Sequence, residues 1–198
     1  MIVYSLSSFD KWKFVKVFEL VRKGRIYEAL EIAENIDDYF WRSAAFAKIA
    51  DKFVEIGSPE IALKIAKKIK NSYWRTQALS KVAEGFAKVG NPEMALKIAE
   101  RIVHRYWRSV TLVEVAKGFA KAGSSEKALE ILNGALEVAE RIGHDQWSSV
   151  ALVKIADGFI ELGKLEKALE IADKIRNRNW RSKTLSNIRK ALKYHQIT

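Results

Sequence analysis

The chain has 198 residues, of which 48% are hydrophobic and 30% are charged, and its formal net charge at pH 7 is +11. This composition is typical of a folded globular protein and excludes a disordered one. The sequence contains no cysteine, which excludes disulfides, thiolate chemistry and cysteine-based zinc sites.

The first residues have neither a basic start nor a sustained apolar run, so no signal peptide is predicted. No stretch approaches the length of a membrane span, and we expect a cytoplasmic protein with no membrane association. Only three glutamines occur beside abundant Lys, Glu and Ile, a bias that favours a thermophilic source.

Two sets of residues reveal an internal repeat. Tryptophans recur at steps of 33, 33, 40 and 33 residues, namely Trp41, Trp74, Trp107, Trp147 and Trp180. Glycines recur at steps of 33, 33, 33 and 40 residues, namely Gly24, Gly57, Gly90, Gly123 and Gly163. The shared irregularity indicates one tandem array. We predict a single repeat domain over residues 1–198, with repeats at 10–38, 39–71, 72–104, 105–144 and 145–177 and a capping helix at 178–195.

Each repeat is predicted to contain two helices. In the third repeat, apolar residues follow Trp74 at helical spacing, Gly90 ends the first helix, and Asn91-Pro92 begins the second. Small residues recur where helices must approach closely, namely Ala50, Ala83, Ala116 and Ala156, and Gly85, Gly118 and Gly158. Because a glycine within a helix is costly, its recurrence favours tight helix packing.

The fourth repeat has seven extra residues, equal to two helical turns. The apolar pattern continues through them, which favours one long helix over 125–142. A break at Asn133-Gly134 is the alternative. A long helix is expected to project past its neighbours and to offer a homodimer contact near Leu132–Leu136.

The capping helix keeps Leu185, Ile188 and Leu192 on its expected buried face. Arg189 stands where the other repeats have a small alanine. A large charged side chain there would block another repeat, so we expect the array to end at this helix.

These features resemble the tetratricopeptide repeat (TPR) family over residues 10 to 198. Matches to the spacing of that family include Ala83, Phe86, Gly90, Ala95 and Ala99. The repeat period of 33 residues is one residue shorter than is usual in that family, and a Trp stands near the position where the family usually has Pro. The resemblance implies an all-α fold, a right-handed TPR-like α-α superhelix of five helical hairpins plus the capping helix.

The resemblance also implies a concave groove, lined by the first helices, that binds a peptide or helix of a partner protein. The expected lining is Ala47, Asp51, Val54, Ser80, Glu84, Ala87, Val113, Lys117, Ala120, Val153, Asp157 and Ile160. The alternative is a tightly coiled superhelix whose own helices cover these residues.

An aromatic-Trp-Arg cluster begins several first helices, as in Phe40-Trp41-Arg42 and Tyr73-Trp74-Arg75. One interpretation is that Trp seals the contact between successive repeats, while Arg lies over it or caps the preceding helix. The other is a ladder of Trp and Arg that stacks on bases or binds anions.

The basic excess is concentrated at the end of the chain, where residues 174–198 contain eight basic residues and no acid. The candidate anion-binding edge comprises Arg75, Arg105, Arg108, Arg178, Arg181 and Arg189. It would attract nucleic acid or another polyanion, and the alternative is a solvated surface.

The sequence contains no phosphate loop, nucleophile elbow or His-Glu-x-x-His pattern. His104 and His144 occupy equivalent repeat positions, which favours a loop position over a metal site. We therefore predict a protein-protein interaction scaffold and not an enzyme, with no metal or cofactor. Nucleic-acid binding is the alternative function.

Overall fold

A computed structural model of the chain describes the backbone of residues 3–195 and the side chains of residues 9–193. These residues form eleven α-helices and contain no β-strand. The all-α repeat fold predicted from the sequence is therefore confirmed. The helices divide into two compact units, the first ending at Val89 and the second beginning at Gly90.

Unit 1 contains α1 (Val3–Arg22), α2 (Ile26–Glu34), α3 (Tyr39–Glu55), α4 (Pro59–Ala66) and α5 (Ser72–Lys88). The first helices of the hairpins, α1, α3 and α5, pack side by side. Helix α2 packs on α1 and α3, and α4 packs on α3 and α5. Unit 1 therefore has a layer of first helices covered on one side by second helices.

Unit 2 repeats this arrangement with α6 (Pro92–Glu100), α7 (Arg105–Lys121), α8 (Ser125–Glu140), α9 (Asp145–Glu161), α10 (Leu165–Lys174) and α11 (Arg178–His195). Helices α7, α9 and α11 form its layer of first helices. Helix α6 packs on α7, α8 packs on α7 and α9, and α10 packs on α9 and α11.

Helix ends follow the predicted signals. Gly90 adopts a φ of 84°, a left-handed conformation that glycine reaches without steric cost. The Asn91 side chain accepts a hydrogen bond from the Met94 backbone N–H at 3.1 Å and so caps α6. Asp38 and Asn71 cap α3 and α5 in the same way, each accepting from two backbone N–H groups.

Small residues permit the close packing of first helices. Ala50, Ala83, Ala116 and Ala156 are all buried. At Gly85, a Cβ atom would lie 2.9 Å from the Val54 Cγ1 atom and 3.2 Å from the Pro59 Cβ atom. At Gly158, a Cβ atom would lie 2.9 Å from a methyl carbon of Leu132. The expected tight packing at these two glycines is confirmed.

Helix α8 runs unbroken through Asn133-Gly134, which confirms one long helix, although it ends at Glu140. The two leucines named for the expected homodimer contact do not lie at the surface, and a homodimer contact near them stays a prediction. Leu132 is only 1% exposed, and Leu136 is also buried. Their side chains are therefore not free to contact a second copy.

The last helix, α11, buries Ile188 as expected. Leu192 differs from the expectation, because 41% of it is exposed. Among the described helices α11 packs only on α9 and α10, so its buried face is narrow.

Candidate functional site

The layer of first helices in unit 1 holds a pocket of about 260 Å³ between α1, α3 and α5. We call it the unit 1 pocket. Its lining residues are Phe14, Phe18, Ala44, Ala47, Lys48, Asp51, Trp74, Gln77, Ala78 and Lys81. The aromatic rings and alanines give it apolar walls, whereas the charged residues are confined to α3 and α5.

Ion pairs already engage the two lysines of this pocket. The Lys48 ammonium lies 4.9 Å from the Phe18 ring centroid and 3.9 Å from the Asp51 carboxylate. Lys81 donates to the Glu84 carboxylate at 3.1 Å. Burial raises the pKa of Glu84, but hydrogen bonds from Lys88 and Lys81 outweigh this effect, and the pKa is lowered. Each lysine of the unit 1 pocket is therefore paired with a carboxylate of its own helix.

The structure places the predicted groove residues of unit 1 in different environments. Ala47 and Asp51 line the unit 1 pocket. Val54 instead packs against Gly85, and Ala87 is buried. Ser80 is half-buried. Some predicted groove residues of unit 1 therefore line the pocket, whereas others pack against neighbouring helices.

Unit 2 has a polar depression of about 360 Å³ between α7, α9 and α11. Its lining residues are Val113, Glu114, Lys117, Lys154, Asp157, Ile160, Glu161, Asn187 and Lys190. Lys117 Nζ lies 2.9 Å from Glu161 and 3.7 Å from Glu114. Partial burial lowers the pKa of Lys117, but the bond to Glu161 and the surrounding carboxylates outweigh it, and the pKa is raised.

Four predicted groove residues, Val113, Lys117, Asp157 and Ile160, line this depression. Val113 contributes little free surface, because it is only 1% exposed. Ala120 lines a neighbouring cleft of about 430 Å³ where α7, α8 and α9 meet, together with Lys117. Val153 is buried. The first-helix surface of unit 2 is therefore more polar than that of unit 1.

The aromatic residues of the aromatic-Trp-Arg cluster contact the next repeat within each unit. The Phe40 and Trp74 ring centroids are 5.9 Å apart in unit 1. The Tyr106 and Trp147 ring centroids are 4.6 Å apart in unit 2. Both pairs lie at contacts between successive first helices, where the sequence predicted a Trp seal.

Two arginines of the cluster cap the preceding helix. Arg42 donates to the Ile36 carbonyl at 2.8 Å. Arg181 donates from Nε to the Ile175 carbonyl at 2.9 Å and from Nη2 to the Asp173 carbonyl at 3.1 Å. Arg108 is half-buried, and its Nε has no hydrogen-bond partner among the described residues.

The remaining arginines of the predicted anion-binding edge, Arg75, Arg105, Arg178 and Arg189, are exposed. They belong to the first helices α5, α7 and α11. Anion binding at this edge stays a prediction. Arg181 differs from the exposed arginines, because backbone carbonyls already hold its guanidinium.

A buried acid in α1 was not singled out from the sequence. Asp10 is buried and accepts hydrogen bonds from the backbone N–H groups of Asp38 at 2.8 Å and Asp37 at 3.2 Å. Burial raises the pKa of Asp10, but these bonds and the Lys13 ammonium outweigh it, and the pKa is lowered. Ser43 performs the same task one repeat later, since its hydroxyl accepts from the Asn71 N–H at 3.2 Å.

Within residues 9–193, no group of three or more His, Asp or Glu side chains is arranged to hold a metal ion. None of the helices in the described part of the chain is both long enough and apolar enough to cross a membrane.

No protein-family profile and no curated protein matches the chain. Two structures of nearly identical TPR-like repeats from a putative kinesin light chain of Podosopora anserina are similar in fold. One of them, a variant with a single substitution, is 16% identical, covers 89% of this chain and 96% of its own, and has a TM-score of 0.51. The other is 15% identical, covers 95% and 97% of the two chains, and has a TM-score of 0.50.

Ton1535 from Thermococcus onnurineus NA1 is 21% identical over 89% of this chain, with a TM-score of 0.49. The chain spans 57% of the length of Ton1535. The helix pairing and the likeness to the kinesin light chain repeats together show that this chain has a TPR-like helical repeat fold.

Proposed function

We propose that the chain is a protein-protein interaction scaffold that acts by binding and not by catalysis. TPR-like repeats generally mediate contacts between proteins. The unit 1 pocket is the site that we assign to the anchor of a bound segment. The observation that carries this assignment is an apolar wall in which Phe18 is exposed, Phe14 and Trp74 are half-buried, and Ala47 and Ala78 are buried beside them.

The size of the pocket favours a side chain of a longer segment over a free small molecule. Its volume of about 260 Å³ is below the range of about 300–1,000 Å³ that is typical of sites for drug-sized ligands. A peptide or helix places one or two apolar side chains in such a pocket, and its backbone runs along the surrounding surface. Phe18 is 45% exposed, so a bound apolar side chain would cover surface that now faces water.

The polar depression of unit 2 is a weaker candidate for this anchor. Several of its charged side chains already satisfy one another, as in the pair of Lys117 and Glu161. An apolar ligand there would desolvate these charges without replacing their partners. In the unit 1 pocket this argument applies to the charged side chains, Lys48 beside Phe18 among them, but not to the apolar wall.

Selection of random dodecapeptides displayed on phage against the full chain tests this proposal. Enriched peptides are then titrated by calorimetry into the wild type, Phe18→Ala and Ile61→Ala. Ile61 is the matched control, because it is an exposed apolar residue of α4 outside the pocket.

We expect Phe18→Ala to weaken binding by about tenfold, equal to about 1.4 kcal/mol. We expect Ile61→Ala to change the affinity by less than about twofold, since surface substitutions have small effects. Equal losses in the two variants, or no enriched peptide, would contradict the proposal. Circular dichroism confirms that each variant is folded.

A further inference from the structure

The outer face of α11 has an excess of positive charge. Its exposed basic residues are Arg178, Lys183, Arg189, Lys190 and Lys193, and α11 contains no acid. We call these five residues the α11 basic face. No ion pair among the described residues involves any of them, although the Lys183 ammonium lies 5.4 Å from the Trp180 ring centroid and Lys190 also lines the polar depression of unit 2.

Basic residues of two other helices in unit 2, α8 and α10, are paired with carboxylates. Lys127 lies 2.8 Å from Glu130, and Lys167 lies 2.6 Å from Glu170, each within one helical turn. Even Arg176, just before α11, lies 2.6 Å from Asp145. The absence of such carboxylates from α11 leaves a concentrated positive potential on this helix.

The α11 basic face is elongated. At 1.5 Å per residue, the axial distance from Arg178 to Lys193 is about 23 Å. At about 100° per residue, Arg178, Arg189 and Lys193 lie on one side of the exposed surface, and Lys183 and Lys190 lie on the other. Small polar residues lie within and between these two rows, namely Asn179, Ser182 and Ser186, and all three are exposed.

From this arrangement we infer that the α11 basic face binds the phosphate backbone of a nucleic acid. Arginine, lysine, serine and asparagine are the side chains that contact phosphates in nucleic-acid complexes. Rows of positive charges along the helix axis complement the regularly spaced negative charges of a polyanion. The hydroxyl and amide groups beside them supply further hydrogen-bond donors.

The same surface is poorly suited to other anionic partners. A protein interface needs a desolvated centre that is rich in aromatic or aliphatic side chains. A helix that lies in a membrane surface needs a broad apolar face beside its lysines, and Leu192, which is 41% exposed, does not make one alone. The centre of the α11 basic face offers Ser182 and Ser186 instead. The inference goes beyond the proposed function, because none of its residues lines the unit 1 pocket.

Fluorescence anisotropy with labelled single-stranded RNA and duplex DNA, over a series of KCl concentrations, tests the inference on the full chain. If all five residues contact phosphates, the slope of log K against log salt is about −3.5 for a single strand and about −4.5 for a duplex. The test variant is R189Q/K190Q/K193Q. The control is K64Q/K70Q/K97Q, which removes three exposed lysines of unit 1 and α6 that lie outside the α11 basic face.

We expect the test variant to weaken binding by at least about tenfold and to make the salt slope shallower by about 2 to 3. The control should retain most of the affinity, although both variants lose the same charge. Equal losses would overturn the inference, because net charge alone would then explain binding. No binding at low salt, or tighter binding to polyglutamate or anionic vesicles than to either nucleic acid, would also overturn it.

Discussion

The Tyr106 ring packs against the Trp147 ring with 4.6 Å between the two centroids. The Phe40 ring meets Trp74 in the corresponding way in unit 1. In each case the aromatic residue that precedes one tryptophan contacts the tryptophan of the next repeat. The aromatic cluster therefore stabilises the contact between repeats, which explains why an aromatic-Trp pattern recurs with the repeat period.

A double-mutant cycle on Tyr106→Leu and Trp147→Leu measures this contact. Aromatic pairs of this kind contribute about 0.5–1.5 kcal/mol beyond the area that they bury. We expect a coupling energy in that range from urea unfolding of the two single variants and the double variant. Strictly additive losses would show that the two rings act independently.

Two glycines within helices should respond to alanine in opposite ways. Gly85→Ala places a methyl group 2.9 Å from Val54 Cγ1, so we expect it to lower the free energy of unfolding by about 1–3 kcal/mol. Gly134 lies within α8 with no atom within 4 Å of an added Cβ. Gly134→Ala should raise the free energy of unfolding by about 0.5–1 kcal/mol.

Thermal and urea unfolding of both glycine variants provide the measurement. Val54→Ala should partly rescue Gly85→Ala, because it removes the methyl groups that the new Cβ meets. Stabilisation by Gly85→Ala would contradict the packing described between α3 and α5.

Asp10 should make the stability of the chain dependent on pH. Its pKa is lowered in the folded state, so its stabilising contribution is present above the unfolded value of about 3.9. The contribution is lost as the pH falls through the folded pKa. We expect Asp10→Asn to lower the free energy of unfolding at pH 7 by about 1–3 kcal/mol, with a smaller difference at acidic pH.

Urea unfolding between about pH 2 and pH 7 checks this prediction, with Asp37→Asn as the control. The Asp37 side chain is mostly exposed and should have a small effect at every pH. A constant difference between wild type and Asp10→Asn across this range would contradict the role of the carboxylate.

Arg42 caps the carbonyl of Ile36, so its removal should destabilise the α2–α3 connection. We expect Arg42→Gln to cost about 1–3 kcal/mol, because a hydrogen bond from a charged group is lost and the carbonyl loses its partner. Arg22→Gln is a control at an exposed arginine. Chemical unfolding measures the loss of unfolding free energy in the two variants, and we expect the larger loss in Arg42→Gln. Equal losses would contradict the capping role of Arg42.

The helix pairs could be predicted because a periodic Gly marked every repeat, a periodic Trp marked every repeat after the first, and each helix carried its own apolar period. Contacts between different helices could not be predicted in this way. Nothing within α8 indicates that Leu132 packs against Gly158 of another helix. Asp10 was missed because its partners are backbone N–H groups 27 and 28 residues away, which no side-chain pattern reveals.

The unit 1 pocket was predicted only in part. Ala47 and Asp51 follow from the expected position of first-helix residues in a TPR-like groove. Phe14 and Phe18 were not included, because the first hairpin departs most from the repeat pattern. Their contribution depends on the packing of α1 beside α3, which brings two aromatic side chains to the edge of the pocket.

The most direct test of the proposed binding site is an NMR titration that follows the indole N–H signals of ¹⁵N-labelled protein as a phage-selected peptide is added. We predict a shift of the Trp74 signal, assigned with Trp74→Phe, because its ring lines the unit 1 pocket. The signals of Trp147 and Trp180, which lie in unit 2, should remain in place. Shifts confined to Trp147 or Trp180, with Trp74 unchanged, would contradict the assignment of the binding site to the unit 1 pocket.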